Sequence, residues 1–145
     1  MKHDNRLSAT LHALLHMAER GKPMTSAELA MCMDTNPVVV RRTMAGLRKA
    51  GYVRSGKGHG GGWEIACDLS AVTLKDVYDA LGAPTLLAIG IGDGNPSCLV
   101  ARSVKDALAE TFSEAEALLI RRLETVTLAR LADDFRASHP HQPLR

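Results

Sequence analysis

No acidic residue occurs between Thr35 and Trp63, although the 145-residue chain carries 16 Asp and Glu residues against 18 Lys and Arg. Residues 1–66 hold 10 basic and 5 acidic residues, and residues 67–145 hold 8 and 11, so the overall net charge of +2 conceals a basic first half. Phosphates repel carboxylates and attract Lys and Arg, so this composition is typical of a surface that meets a polyanion. The basic residues of the acid-free stretch are Arg41, Arg42, Arg48, Lys49, Arg54 and Lys57.

Long apolar runs are also missing, and cysteine is scarce. No run approaches the roughly 18–20 residues that cross a bilayer, and the polar start, MKHDNRLSATLHALL, lacks the cleavage site of a secretory signal. Three widely spaced cysteines, Cys32, Cys67 and Cys98, argue against a disulfide framework and for reduced thiols. The sequence therefore predicts a cytoplasmic protein without a membrane segment, and its length and 46% hydrophobic content suit one compact domain with an appendage.

The first half of the chain contains the signals of three helices. Apolar residues at helical spacing predict a first helix over about residues 5–19, which Gly21 stops. Thr25 and Glu28 form a capping-box signature for a short second helix through Met31. In that helix, Ala27, Ala30 and Met31 are the residues expected to pack.

A third helix is expected to begin at Pro37, which suits a first helical turn because its missing N–H is harmless there. Val40, Met44 and Leu47 then recur at helical spacing until Gly51 ends the pattern. Two short helices joined by a tight connection predict a helix-turn-helix.

A glycine-rich hairpin follows. Five glycines lie within residues 56–62, around Lys57 and His59, and apolar and polar residues alternate over residues 63–67. This pattern predicts a two-stranded wing whose glycines allow the backbone to approach a sugar–phosphate ridge. An ordinary flexible hairpin is the alternative. A nucleotide-binding loop is not indicated, because no Gly-Lys-Ser/Thr ending follows.

The second half is dominated by one long helical pattern. A short helix over residues 74–81 is capped by Thr73, and residues 83–97 read as a loop. From Cys98 onward a heptad-like seam predicts a helix that needs a partner, which favours a twofold homodimer over a helix folded back on its own head. A short last helix capped by Thr127 and a loose tail complete the chain. The seam, called the apolar stripe below, comprises Ala101, Val104, Leu108, Phe112, Ala115, Leu119, Leu123 and Val126.

These elements predict a mainly α fold with a small β-wing, that is, a winged helix-turn-helix plus a long dimerisation helix. The predicted divisions are residues 1–82 for the DNA-binding head, 83–97 for a connecting and sensing loop, 98–136 for the dimerisation helix and terminal helix, and 137–145 for the tail. No nucleophile–base pairing stands out, so catalysis is not predicted.

The run LRKAGYVRSGKGHGGGWEIA, followed by VTLKDVYDAL, closely resembles the Rrf family of bacterial winged-helix regulators. The segments NRLSATLHALLHMA and LETVTLARL extend the resemblance over nearly the whole chain, although the glycine-rich wing is its specific part. The resemblance implies a homodimeric transcription regulator, usually a repressor, that binds a double-stranded DNA operator and often senses iron–sulfur status, nitric oxide or redox state. An alternative is a protein-interaction adaptor that has lost operator binding.

The resemblance also implies which residues touch DNA. An arginine of the third helix would offer two donors to a guanine, or would lie on a solvated face with phosphate contact only. Lys57 and His59 would lie against phosphate or reach into a minor groove. At the position of Arg41 the family member that senses an iron–sulfur cluster has an acidic residue, so the operator sequence of that regulator does not transfer to this chain. The implied DNA-binding residues are Asn36, Val38, Val39, Arg41, Arg42, Lys57, Gly58 and His59.

Sensing is where the chain departs from the family. Cluster-holding members supply three closely spaced cysteines before the long helix, whereas residues 82–101 contain only Cys98, so neither an iron–sulfur cluster nor another cofactor is predicted. Cys98 lies at the start of the predicted long helix, whose dipole favours the thiolate form, so Cys98 is the candidate residue for sensing an oxidant. The alternative is that Cys98 is an inert, packed side chain. A small molecule bound near residues 83–97 is a second effector hypothesis. His12 and His16, one turn apart, lack further ligands at fitting spacing, so no metal site is predicted.

Overall fold

A computed structural model describes residues 4–58, 61–87 and 97–140 of the chain. These residues form a mainly helical fold with one two-stranded antiparallel sheet, which confirms the predicted fold class. In chain order the elements are α1 (Arg6–Arg20), α2 (Ser26–Cys32), α3 (Pro37–Lys49), β1 (Val53–Ser55), β2 (Trp63–Ile65), α4 (Leu74–Ala80), α5 (Leu99–Thr125) and α6 (Leu128–Ser138).

The helix ends lie where the local signals put them. Gly21 adopts a left-handed φ of 59° and donates its N–H to the Met17 carbonyl, which ends α1. Before α2 the capping box is complete, because the Glu28 N–H donates to Thr25 Oγ1 and the Thr25 N–H donates to Glu28 Oε2. Thr73 and Thr127 likewise cap α4 and α6 through their side chains. Both capping-based helix starts in the second half are therefore confirmed.

The packing prediction for α2 is wrong for two of its three residues. Ala30 is buried as expected, but Ala27 and Met31 are exposed, and Met31 retains 77% of its accessible surface. Leu29 is fully buried in their place. A helix of two turns is too short for periodicity to select a face, so its contacts with α1 and α3 decide which side is buried.

A single core joins the head to the end of the chain. The terminal helix α6 packs against α1, the Leu128 N–H donates to the Val72 carbonyl at 2.9 Å, and Ala132 is 1% exposed. The helix after α5 therefore returns to the head and completes its core. Fully buried hydrophobic side chains of this core include Leu14, Leu29, Met44, Leu47, Val40, Val53 and Val77.

Gly46 sets how closely α3 approaches α4. A Cβ atom at Gly46 would lie 2.8 Å from the carbonyl oxygen of Ala80, which is a backbone atom and cannot rotate away. In an unobstructed helix, Gly→Ala adds about 1 kcal/mol of stability. Here we expect Gly46→Ala to lower the free energy of unfolding by ~1–2 kcal/mol in urea titrations. The clash of the added methyl group with the Ala80 carbonyl oxygen outweighs the higher helix propensity of alanine.

The neighbouring residue provides the control for this prediction. Ala45 is exposed on the same helix, so Ala45→Gly should cost about 1 kcal/mol through propensity alone. A Gly46→Ala protein that is more stable than the parent would contradict the close contact between α3 and α4.

The long helix α5 is the exception to this compact arrangement. None of its 27 residues is buried, and Val104, Leu108 and Leu119 expose 54%, 39% and 40% of their surface. Its main contact with the head is with α4. Across the described ranges, no helix is both long and apolar enough to cross a membrane.

Candidate DNA-binding surface

The helix α3 has one buried face and one exposed face. Val40, Met44 and Leu47 are each 0% exposed and fix the helix to the core. Arg41 and Arg42 lie on the exposed side. The helix is thus held by its apolar face while its cationic face remains accessible.

Asn36 begins α3 as its N-cap. Its Oδ1 accepts hydrogen bonds from the N–H groups of Val38 and Val39, at 3.0 Å and 3.1 Å. This role was missed by the sequence reasoning, although an Asn immediately before a Pro at the first helical position is a recognised start signal. The structure thus gives Asn36 a capping function, while its DNA contact stays a prediction.

The structure brings four predicted residues together on α3. Val38, Val39, Arg41 and Arg42 are all exposed within its first two turns. Val38 and Val39 keep 61% and 37% of their surface, which is high for β-branched aliphatic side chains. These positions could meet a duplex without any rearrangement of the core.

The wing, residues 53–65, is tied to the helix-turn-helix. Its strands pair antiparallel, with Val53 opposite Ile65 and Ser55 opposite Trp63. Trp63 also exchanges two backbone hydrogen bonds with Met24, at 2.8 Å and 3.0 Å, and its Nε1–H donates to Ser26 Oγ. The second strand is therefore attached to the segment that leads into α2, which is inconsistent with a loosely held hairpin.

The wing loop is shaped by its glycines. The Gly56 N–H donates to the Gly62 carbonyl, and Gly58 adopts a left-handed φ of 84°. Lys57 and Gly58 are exposed at the loop, as their predicted DNA contacts require. His59, the remaining predicted wing contact, lies outside the described residues.

Arg54 is partly neutralised by a partner on the opposite strand. It faces Glu64 in the register, and its Nε and Nη2 donate to Glu64 Oε2 at 2.9 Å and 2.8 Å. The pairing depends on strand register, which the basic stretch alone did not reveal. Within the acid-free stretch, Arg54 therefore contributes less free positive charge than the sequence suggested.

Removal of this carboxylate should strengthen DNA binding. Glu64→Gln releases Arg54 toward phosphate, so we expect severalfold tighter binding to a random-sequence duplex at low salt and a log K against log[salt] slope steeper by about 0.9 for each protomer that contacts the duplex. The exposed ion pair adds at most about 1 kcal/mol to stability, so the fold should persist. Fluorescence anisotropy over a salt series measures both quantities.

Glu116→Gln, an identical charge change on exposed α5, is the control and should leave both quantities nearly unchanged. Equal effects of the two substitutions would mean that only net charge matters and that the wing does not face DNA.

The three cysteines lie on separate elements. Cys32 ends α2 and Cys67 follows β2; both are half-buried, and burial raises the pKa of each thiol. Cys98 is exposed at the N-cap of α5. An iron–sulfur cluster is held mainly by closely grouped thiolates, whereas these three thiols lie on separate elements, so the absence of a cluster stays a prediction.

His12 and His16 form a close pair on α1. Their Nε2 atoms lie 2.9 Å apart, and burial together with the neighbouring His12 lowers the pKa of His16. In the part of the chain that the structure describes, no group of three or more His, Cys, Asp or Glu side chains could hold a metal ion. Among the described residues, the two histidines therefore have no third side chain beside them that could help to bind a metal ion.

A helix-turn-helix with an attached wing and an exposed cationic helix defines the winged-helix class of DNA-binding proteins. The chain belongs to the Rrf2 family, described as iron-dependent transcriptional regulators, whose sequence model matches residues 3–134. It is accordingly a DNA-binding transcription regulator. Membership of this family favours that function over the alternative of a protein-interaction adaptor.

Individual relatives agree with this assignment. A Bacillus subtilis protein named as the HTH-type transcriptional regulator YwnA is 30% identical over 125 residues, covering 86% of this chain and 92% of that protein. A Lactobacillus plantarum transcriptional regulator of known structure is 26% identical, with a TM-score of 0.73 and coverage of 93% and 92%. IscR of T. potens, at 20% identity, has a TM-score of 0.65 over 98% and 93% of the two chains, a likeness of fold alone.

Proposed function

We propose that two copies of the chain pair along α5 and present two α3 helices to a pseudo-palindromic operator. The protein would act in the cytoplasm as a homodimeric repressor without enzymatic activity. The observation that carries this proposal is α5 itself, a 27-residue helix without a buried side chain. A helix with so little contact to its own head needs another surface to stabilise it.

The apolar stripe fits a second copy of the same helix. Val104, Leu108, Ala115 and Leu119 follow one another at spacings of four, seven and four residues, which places them on one face of α5. Phe112, on the same face, is half-buried. Two such faces related by a twofold axis are self-complementary, and pairing them would remove the exposed leucine and valine surface from water.

Each head would contact DNA through α3 and the wing. Arg41 and Arg42 would reach base edges and phosphates of the major groove, and Lys57, Gly58 and His59 would follow the adjacent backbone or minor groove. Capture of duplexes from a random-sequence pool tests the proposal. It predicts two inverted half-sites whose centres lie a whole number of helical turns apart. A pool without enriched symmetry would contradict the paired arrangement.

We further propose that regulation is independent of an iron–sulfur cluster and that an oxidant acts at Cys98. The Cys98 thiol is exposed, so an oxidant can reach it, whereas Cys32 and Cys67 are half-buried and burial raises the pKa of each thiol. A small ligand near residues 83–97 is the competing effector, and residues 88–96 of that loop lie outside the described residues. Protein purified without air should show no cluster absorbance.

The thiol proposal has its own test. With mild peroxide, operator affinity of the parent protein should fall by about tenfold or more, whereas Cys98→Ser should be unaffected, because sulfenic acid or disulfide forms only on an accessible thiolate. Cys67→Ser is the control and should respond like the parent. Equal responses of the parent and Cys98→Ser would remove Cys98 from sensing.

A further inference from the structure

Two valines at the start of α3 are exposed without any structural need for them. Val38 and Val39 occupy the second and third positions of the helix and keep 61% and 37% of their surface. β-Branched residues are weak helix formers because the helix restricts their χ1 rotation. Neither helix propensity nor core packing therefore explains why valine occupies these two positions. The adjacent Val40, in contrast, is fully buried in the core.

The backbone of this helical turn has little left to offer a phosphate. The N–H groups of Val38 and Val39 already donate to Asn36 Oδ1, so two of the donors with which a helix N-terminus binds anions are satisfied within the chain. What Val38 and Val39 present outward is their methyl groups.

The surroundings of these methyl groups match the major groove. Val38 lies three and four residues before Arg41 and Arg42, so the three side chains share one face of α3, and Ala45 continues that face one turn later. All four residues are exposed, and no carboxylate occurs between Thr35 and Trp63. The face thus combines aliphatic groups with guanidinium groups and excludes the acceptors that would select cytosine.

We infer that Val38, with Val39 at its edge, reads thymine through the 5-methyl group. This methyl group is the apolar feature by which a base pair is recognised in the major groove, and aliphatic side chains are its usual partners. Each half-site should then contain thymine next to the guanine contacted by Arg41 or Arg42. The inference rests on the proposed operator binding by α3, and it adds the base that the helix selects.

Replacement of thymine by deoxyuridine removes this methyl group and leaves base pairing intact. In a duplex captured from the random pool by the full-length protein, we expect one or two half-site thymines at which deoxyuridine weakens binding by about threefold to fivefold each, the value of one buried methyl group. Thymines between and outside the half-sites serve as internal controls and should tolerate the exchange.

The matching change in the protein is Val38→Ser plus Val39→Ser. It removes both exposed valine side chains and leaves the core residue Val40 in place. This variant should bind the thymine and deoxyuridine duplexes equally, whereas Arg41→Ala should keep the discrimination while losing affinity. The folded state of each variant is checked by the fluorescence of Trp63, the single tryptophan.

The outcomes separate this inference from the proposed function. An enriched operator whose thymines all tolerate deoxyuridine, or a Val38→Ser and Val39→Ser protein that still discriminates, overturns the valine readout alone. Failure of the chain to enrich any sequence overturns the proposed function and the inference with it.

Discussion

Replacing Arg41 and Arg42 together with alanine should weaken operator binding by about 10²–10⁴-fold while leaving the oligomeric state unchanged. Both side chains are exposed on α3, whose opposite face is held in the core by Val40 and Met44, so their loss leaves no cavity. A bidentate arginine–guanine contact contributes about 1–3 kcal/mol of discrimination, and the loss of one such contact in each of the two half-sites combines to about this range.

The measurement also distinguishes base reading from phosphate contact. Affinity for the operator and for a scrambled duplex is compared over a salt series. If the arginines read bases, operator affinity falls more than scrambled affinity; if they contact only phosphate, both fall together and the salt slope drops by about 3.6, because the dimer loses four phosphate contacts. Arg102→Ala plus Arg121→Ala removes two exposed arginines of α5 and is the matched control. Unchanged operator binding by the Arg41 and Arg42 variant would exclude α3 as the recognition helix.

Charge introduced into the apolar stripe should convert the protein to a monomer. Val104→Asp plus Leu108→Asp places four carboxylates in the paired interface of a dimer, where they would be desolvated and close to one another. Operator affinity should then fall by about 10²–10⁴-fold, because the second half-site no longer benefits from the linkage to the first. Light scattering gives the mass, and anisotropy gives the affinity.

The head should remain folded in this variant, since its core contains no residue of α5. Trp63, which is 8% exposed in the head, reports on that directly. The control is Ser113→Asp plus Ala117→Asp, which adds the same charge about half a turn around α5 from the stripe. A dimeric Val104 and Leu108 variant, or a monomeric control, would contradict pairing through the stripe.

Much of the fold follows from local signals in the sequence. The capping box at Thr25, the glycine that ends α1 and the periodic residues of α3 each act over a few neighbouring residues, so their structural effect can be predicted without the rest of the chain. The long heptad-like spacing likewise predicted α5 as a single helix.

The features that were missed depend on tertiary contacts. The burial of Leu29 rather than Met31 depends on how α2 meets its neighbours, and the pairing of Arg54 with Glu64 depends on strand register. The return of α6 to the head core follows a chain reversal after α5 that no short motif specifies. Asn36 is different, since its capping signal was local and was overlooked in favour of a DNA contact.

The attachment of Trp63 to Met24 and Ser26 has a consequence for how a signal could reach the operator. Since the wing is anchored at the entrance of α2, and α2 packs on α3, the two elements that we propose to contact DNA, α3 and the wing, should move as a rigid body within one protomer. An effector would then alter affinity chiefly by changing the separation or tilt of the two rigid bodies in the proposed dimer. We therefore expect inducing conditions to shift the preferred distance between half-sites while the bases favoured within each half-site stay the same.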